Sequence, residues 1–254
     1  PTVVPSVTPV PEQENASSAN DNLDGIIAFY SDRDGNPEIY TMNADGSNVT
    51  RLTNAPAFDD SPTLSPDGAQ IVFLTARHDP SPNFPDLKYE IYVMASDGSN
   101  PHRLTETDAA EDHPAWSPDG SKIIFDADYD GDGFYEIHTM NVGGTDVTRL
   151  TSNAANDQFA DWSPDGTQIA FSSDRNGSWD IFVMEADGSN QRALTDNPNW
   201  ELFPAWSPNG TQIAYNGLAP RSRNTEVFVM NADGNDMRQL TDSPRFDESP
   251  VWSP

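Results

Sequence analysis

The dipeptide Leu-Thr occurs at 52–53, 104–105, 150–151, 194–195 and 240–241, so successive copies are separated by 52, 46, 44 and 46 residues. A second block keeps step with it. Ser-Pro-Asp-Gly stands at 65–68, 117–120 and 163–166, Ser-Pro-Asn-Gly at 207–210, and Ser-Pro alone at 253–254. A chain that repeats itself about every 45 residues, with no helical periodicity inside the unit, is restricted to stacked or ringed small sheets. Propeller blades have this period.

One unit, residues 114–151, shows how a blade is encoded. "PAW" reads as a short strand A. "SPDG" is a tight turn, in which proline presets one dihedral and glycine accepts positive φ. "KIIF" is strand B, rich in β-forming residues, and "EIHTM" is strand C. "NVGG" closes a second hairpin, and "VTRLT" is strand D. Each landmark appears five times. Strand A carries Leu64, Trp116, Trp162, Trp206 and Trp252, and strand B carries Phe29, Phe73, Phe125, Phe171 and Tyr215. The first unit has B, C and D without an A, while "PVWSP" at 250–254 is an A strand alone. The expectation is an all-β fold, a five-bladed β-propeller of four-stranded blades over residues 23–254. Its ring is closed by the C-terminal strand, which leaves no open edge. A six-bladed ring would need a further blade from the N-terminal arm or from another chain.

Residues 1–22, "PTVVPSVTPVPEQENASSANDN", form a Pro/Thr-rich linker or arm, a composition that gives extended stalks outside cells. The chain starts at Pro1, as a processed or truncated form does. An extracellular or periplasmic location and self-association through residues 1–22 are therefore expected. With 41 acids against 13 bases the formal net charge is −28. Such a surface repels nucleic acid and anionic membranes and attracts divalent cations or basic partners. No apolar run is long enough to span a bilayer, so no membrane insertion is expected. The absence of cysteine excludes disulfides and thiolate metal sites.

Strand order puts the A–B and C–D turns on one side of the ring. The longer, variable B–C and D–A loops lie on the other, where binding is usually built. That face should hold the insertion 76–88, the basic "PRSRN" at 220–224, and the aromatics Phe58, Phe134, Phe159, Trp179, Trp200 and Phe203. Trp179, Trp200 and Phe203 are the candidate partner-binding residues, for a protein or a glycan. An acid stands six residues before the serine of each A strand: Asp59, Glu111, Asp157, Glu201 and Asp247. They are read as D–A loop residues in structural ion pairs with arginines such as Arg33, Arg77 and Arg175. The alternative is a functional anionic ring at the channel mouth.

The B–C loop of the third unit reads "DADYDGDGFYE". Asp128, Asp130 and Asp132 alternate, and Gly133 follows at the sixth position. Calcium takes six to eight oxygens, and alternating acids in a tight loop converge on one point. The twelfth position is Thr139 and the flanks are strands, which excludes an EF-hand. The spacing resembles the calcium hairpins of integrin-type propellers, with Glu136 at the ninth position. The expected calcium ligands are Asp128, Asp130, Asp132, Glu136 and the carbonyl of Phe134.

Over residues 160–195, "ADWSPDGTQIAF" through "SSDRNGSWDIFVMEADGSNQRALT", and in its four relatives, the chain resembles the TolB-type propeller repeat. The resemblance implies this fold, a periplasmic or extracellular setting and protein partners. It also touches the gating propellers of peptidases. No G-x-S-x-G, H-E-x-x-H, P-loop or G-x-G-x-x-G is present, and no catalytic residue is assigned. His78, His102, His113 and His138 are read as ordinary surface histidines, with His78 and His113 on variable-face loops. The reading is a non-enzymatic β-propeller that binds a partner through its loop-rich face, with one structural calcium. The alternatives are a structural subunit of an extracellular assembly linked by the arm, or a glycan-processing hydrolase or lyase.

Overall fold

The computed structural model describes residues 25–79, 88–219 and 224–252. The arm 1–22, most of the 76–88 insertion and most of "PRSRN" lie outside the described residues. Among those described, the chain is all β, with nineteen strands in five antiparallel sheets. Among the described residues no helix is long and apolar enough to cross a membrane.

Each sheet is one repeat. Blade 1 has β1 (Ile26–Ser31), β2 (Glu38–Asn43) and β3 (Thr50–Arg51). Blade 2 has β4 (Asp59–Leu64), β5 (Gln70–Thr75), β6 (Glu90–Ala95) and β7 (His102–Arg103). Blade 3 has β8 (Glu111–Trp116), β9 (Lys122–Ala127), β10 (Glu136–Asn141) and β11 (Thr148–Arg149). Blade 4 has β12 (Asp157–Trp162), β13 (Gln168–Ser173), β14 (Asp180–Glu185) and β15 (Arg192–Ala193). Blade 5 has β16 (Glu201–Trp206), β17 (Gln212–Leu218), β18 (Thr225–Asn231) and β19 (Arg238–Gln239). Strands pair with their sequence neighbours throughout.

The core lies between blades rather than within them. Central strands such as β5 read as continuous apolar runs because both faces are covered, and Ile71 through Leu74 are all buried. One cluster joins Val72, Leu74, Ile91 and Leu104 of blade 2 to Trp116, Ile123 and Phe125 of blade 3. Trp116, Trp162 and Trp206 of strand A are thus packing residues.

The Leu-Thr signature has a specific cause. The threonine hydroxyl accepts an amide near the start of the neighbouring C strand: Thr53 accepts from Ile39, Thr105 from Ile91, Thr151 from Ile137, Thr195 from Ile181 and Thr241 from Val227. The same hydroxyl reaches the buried acid that opens that strand, as Thr53 does to Glu38 at 2.6 Å and Thr241 to Glu226 at 2.7 Å. The leucine beside it lies under the C–D turn of the next blade: Leu52 under Gly98, Leu104 under Gly144, Leu150 under Gly188 and Leu194 under Gly234.

The fourth strand of blade 1 is not formed among the described residues. Val251 and Trp252 belong to no strand. The Trp252 Nε1 donates to the Ala205 carbonyl at 3.0 Å, the bond Trp116 makes to Thr63. The last segment is therefore seated against blade 5 as the next A strand would be.

Candidate binding face

Four of the five recurring acids are not loop residues, while Asp247 belongs to no strand. Each of the first four opens an A strand, which runs longer than its "PAW" core, and all four are buried. Asp59 is paired with Arg77 at 2.9 Å and Asp157 with Arg175 at 2.8 Å, as expected. Both arginines also lie over the aromatic pair of their own blade. In blade 3 the arginine position holds Tyr129, which hydrogen-bonds Glu111. Burial without a cation pushes that carboxyl up to about 7, while Thr107 Oγ1 and Tyr129 oppose the shift. Buried as they are, these four carboxylates do not ring a mouth.

In four of the five units the residue two positions later, His113, Phe159, Phe203 or Ser249, lines a cavity instead. Each A strand carries a bulge there, where two residues face one on strand B, as between Asp60 and Thr63. The bulged residue is left-handed in all five units: φ is 49° at Ser61, 50° at His113, 59° at Phe159, 56° at Phe203 and 55° at Ser249. None is glycine, and such a conformation costs on the order of 1 kcal/mol or more each time. Strand-B polar groups hold two of these bulges. The Asp126 carboxylate receives the Phe159 amide (3.3 Å), Gln158 Nε2 (3.1 Å) and His113 Nδ1 (3.1 Å). Asn216 Oδ1 accepts the Ser249 amide at 2.8 Å.

The bulge turns its side chains towards a cavity of about 620 Å³, lined among others by His113, Phe159, Phe203 and Ser249. His113 and Phe159 have ring centroids 4.4 Å apart, Phe159 and Phe203 4.2 Å, and Phe159 and Trp179 6.3 Å. Two of the three candidate partner residues, Trp179 and Phe203, therefore meet through Phe159. The third, Trp200, has no ring contact with them among the described residues and is 60% exposed. His113 is neither a loop residue nor an ordinary surface histidine. Burial disfavours its charge, but the attraction and hydrogen bond of Asp126, with Asp112 and Asp60 adding, push it up to about 9. His138 is buried in β10, and His78 hydrogen-bonds the Tyr92 hydroxyl.

The acidic loop assembles only in part. Asp128, Asp130 and Asp132 bring one carboxylate oxygen each to within 4.8 Å of one another. Asp128 folds the hairpin by accepting the amides of Gly131 (2.8 Å), Asp132 (3.2 Å) and Gly133 (3.0 Å). The Phe134 amide donates to Asp132 Oδ1 at 3.0 Å. Glu136 does not join them. It is fully buried and ion-paired with Arg149. It belongs to the column of Glu38, Glu90, Asp180 and Glu226, the buried acids that open the C strands, and Glu38 and Glu90 are likewise held by Arg51 and Arg103. The ninth-position match is therefore a repeat feature. Arg149 also reaches Asp130 at 2.7 Å, and this lowers the Asp130 pKa.

Residues 130–254 match the TolB beta propeller domain family. The protein TolB homolog of Chlorobium chlorochromatii is 32% identical over a region covering 39% of this chain and 30% of that relative, so the match spans under a third of its length. Among solved structures, a putative TolB from Agrobacterium tumefaciens shares the fold with a TM-score of 0.66 at 24% identity, covering 86% of this chain and 81% of the other. An oligogalacturonate lyase in complex with manganese shares it with a TM-score of 0.67 at 14% identity, covering 88% and 64%.

Proposed function

The chain carries TolB-type β-propeller repeats, and on that basis we propose that it is a non-enzymatic, extracellular or periplasmic propeller that binds a protein partner through its loop-rich face. The observation that carries this reading is the aromatic row at the cavity. Three consecutive blades spend a left-handed, non-glycine bulge to present His113, Phe159 and Phe203 side by side, with Trp179 at the edge. Strain held at one place in every unit, filled differently each time, is how a fixed scaffold carries a specific surface. Replacing Phe203 and Trp179 together by alanine should cut capture of the native partner from culture by about tenfold or more, since central aromatic anchors contribute 2 kcal/mol or more. The melting temperature should change little. Undiminished capture by the folded double variant would place the interface elsewhere.

The acidic hairpin supports a structural calcium held by Asp128, Asp130 and Asp132. Without a cation, three carboxylates in one turn repel each other, and Arg149 neutralises only one of them. Calcium would supply the remaining positive charge and rigidify the B–C loop of blade 3. Millimolar calcium should raise the melting temperature of the native chain over the same chain in excess chelator. Asp130→Ala should abolish the rise, whereas a rise that survives this change removes the hairpin as the site.

We also propose that residues 250–254 pair with β1 and close the ring. Unmatched groups at the two ends of the fold support this.

A further inference from the structure

The cavity contains one acid that the repeat does not require. In the column two residues after the bulge, the units carry Thr63, Ala115, Asp161, Ala205 and Val251. Asp161 alone is ionisable, and it lines the cavity together with Phe159 and Phe203. Its carboxylate accepts the Trp206 amide of the next blade at 2.7 Å. No side chain among the described residues hydrogen-bonds or pairs with it. The nearby His113 offers no relief, being already matched by Asp126 and Asp112.

We propose that this cavity receives one lysine or arginine side chain of the protein partner, with Asp161 as counter-ion and Phe159 and Phe203 as aromatic walls. The inference rests on the protein-binding reading of this face and names what is recognised there. An ammonium or guanidinium group is attracted both by aromatic faces and by a carboxylate, and each gains strength where water is excluded. The chemistry of the wall is selective: an acidic or neutral polar group would leave the carboxylate unpaired. Burial without a counter-ion pushes Asp161 up to about 6, a penalty that an incoming cation removes. Charge complementarity points the same way, because a chain with 41 acids and 13 bases draws basic segments towards its surface.

General attraction to an acidic protein must be separated from a built pocket. The probe is the capped peptide acetyl-Gly-Gly-Lys-Gly-Gly-amide, followed by saturation-transfer NMR in 0.3 M sodium chloride, where exposed charges are screened. The folded native chain should bind it, and acetylation of the lysine Nζ should weaken binding by about tenfold, the worth of one charge-assisted contact. Asp161→Asn should produce the same loss. This change keeps an acceptor for the Trp206 amide, so the bond between the two blades survives, and thermal unfolding checks that the variant remains folded. Asp233→Asn, in an exposed C–D turn, removes one charge elsewhere and should change nothing. Equal losses from Asp161→Asn and Asp233→Asn, or equal binding of the acetylated peptide, would overturn the pocket. Partner capture that depends on Phe203 but not on Asp161 would overturn the cation pocket alone and leave the protein-binding reading standing.

Discussion

Blade 1 and blade 2 are written in one repeat but are finished differently. In blade 2, Ile71 is fully buried, Arg77 is paired with the buried Asp59, and the turn at Gly98 lies against Leu52 of the blade before it. In blade 1 the matching Ile27 is 40% exposed. Arg33 takes the pose of Arg77 over its own aromatic pair, Phe29 and Tyr40, but its hydrogen bonds go to Ser31. Gly46 has no neighbour within reach of an added Cβ. The complements of all three stand at the other end of the fold. Asp247 occupies the Asp59 column and takes a hydrogen bond from Ser243, Leu240 is 49% exposed, and Trp252 is 37% exposed where the other strand-A tryptophans are 7%. The difference teaches that a blade does not stabilise itself. Its strand pairing is internal, but its apolar faces pack on the neighbouring blade and side-chain bonds such as Trp116 to Thr63 cross to it, as in any array built on nearest-neighbour contacts.

The largest test of this comparison is the arginine. Arg77→Ala leaves Asp59 buried without its cation, and the expected loss is about 3 kcal/mol, near the low end for a broken buried pair because the arginine is a quarter exposed. Arg33→Ala should cost about 1 kcal/mol or less if its only roles are stacking and a bond to Ser31. Chemical denaturation of the two variants gives the comparison directly. Equal losses would break it, and would mean that Arg33 holds a buried carboxylate, for which Asp247 is the repeat-equivalent candidate.

Much of this was legible in the sequence. Turn motifs, aromatic columns and the Leu-Thr signature placed five blades, because each reflects a local demand: a tight hairpin, a buried strand, a capped amide. The pairing of Asp59 with Arg77 and of Asp157 with Arg175 was also readable, since acid and arginine recur at a fixed offset. The bulges were not readable. Ser61, His113, Phe159, Phe203 and Ser249 share no chemistry, so a backbone feature common to all five leaves no residue signature. Phe159 and Phe203 were recognised as aromatics of the loop-rich face, but placed in loops instead of in the strand that aims them at the cavity. Glu136 was misplaced for the opposite reason. Its position satisfied two patterns at once, a calcium hairpin and the acid that opens each C strand, and only the coordinates show Arg149 holding it in the second. Asp161 carried a faint signal, as an acid in a column otherwise filled by alanine, valine and threonine.

The smaller test concerns the turn glycines, and it isolates close approach from backbone strain. Gly46 and Gly144 occupy the same turn position with φ of 81° and 76°, so replacing either by alanine incurs a similar left-handed penalty of about 1 kcal/mol. They differ in their surroundings. A Cβ on Gly144 would meet the Leu104 carbonyl at 2.5 Å, whereas one on Gly46 meets nothing. Gly144→Ala should therefore cost about 1–3 kcal/mol more than Gly46→Ala, the range for forcing an extra carbon into a packed contact. Denaturant midpoints at matched slope would read the difference. If the two substitutions prove equally damaging, something packs on Gly46 in solution as Leu104 packs on Gly144. Adding Leu240→Ala would then identify it. A Gly46→Ala penalty that shrinks in the Leu240→Ala background assigns the contact to blade 5 and closes the ring within the chain, while an unchanged penalty assigns it to another element.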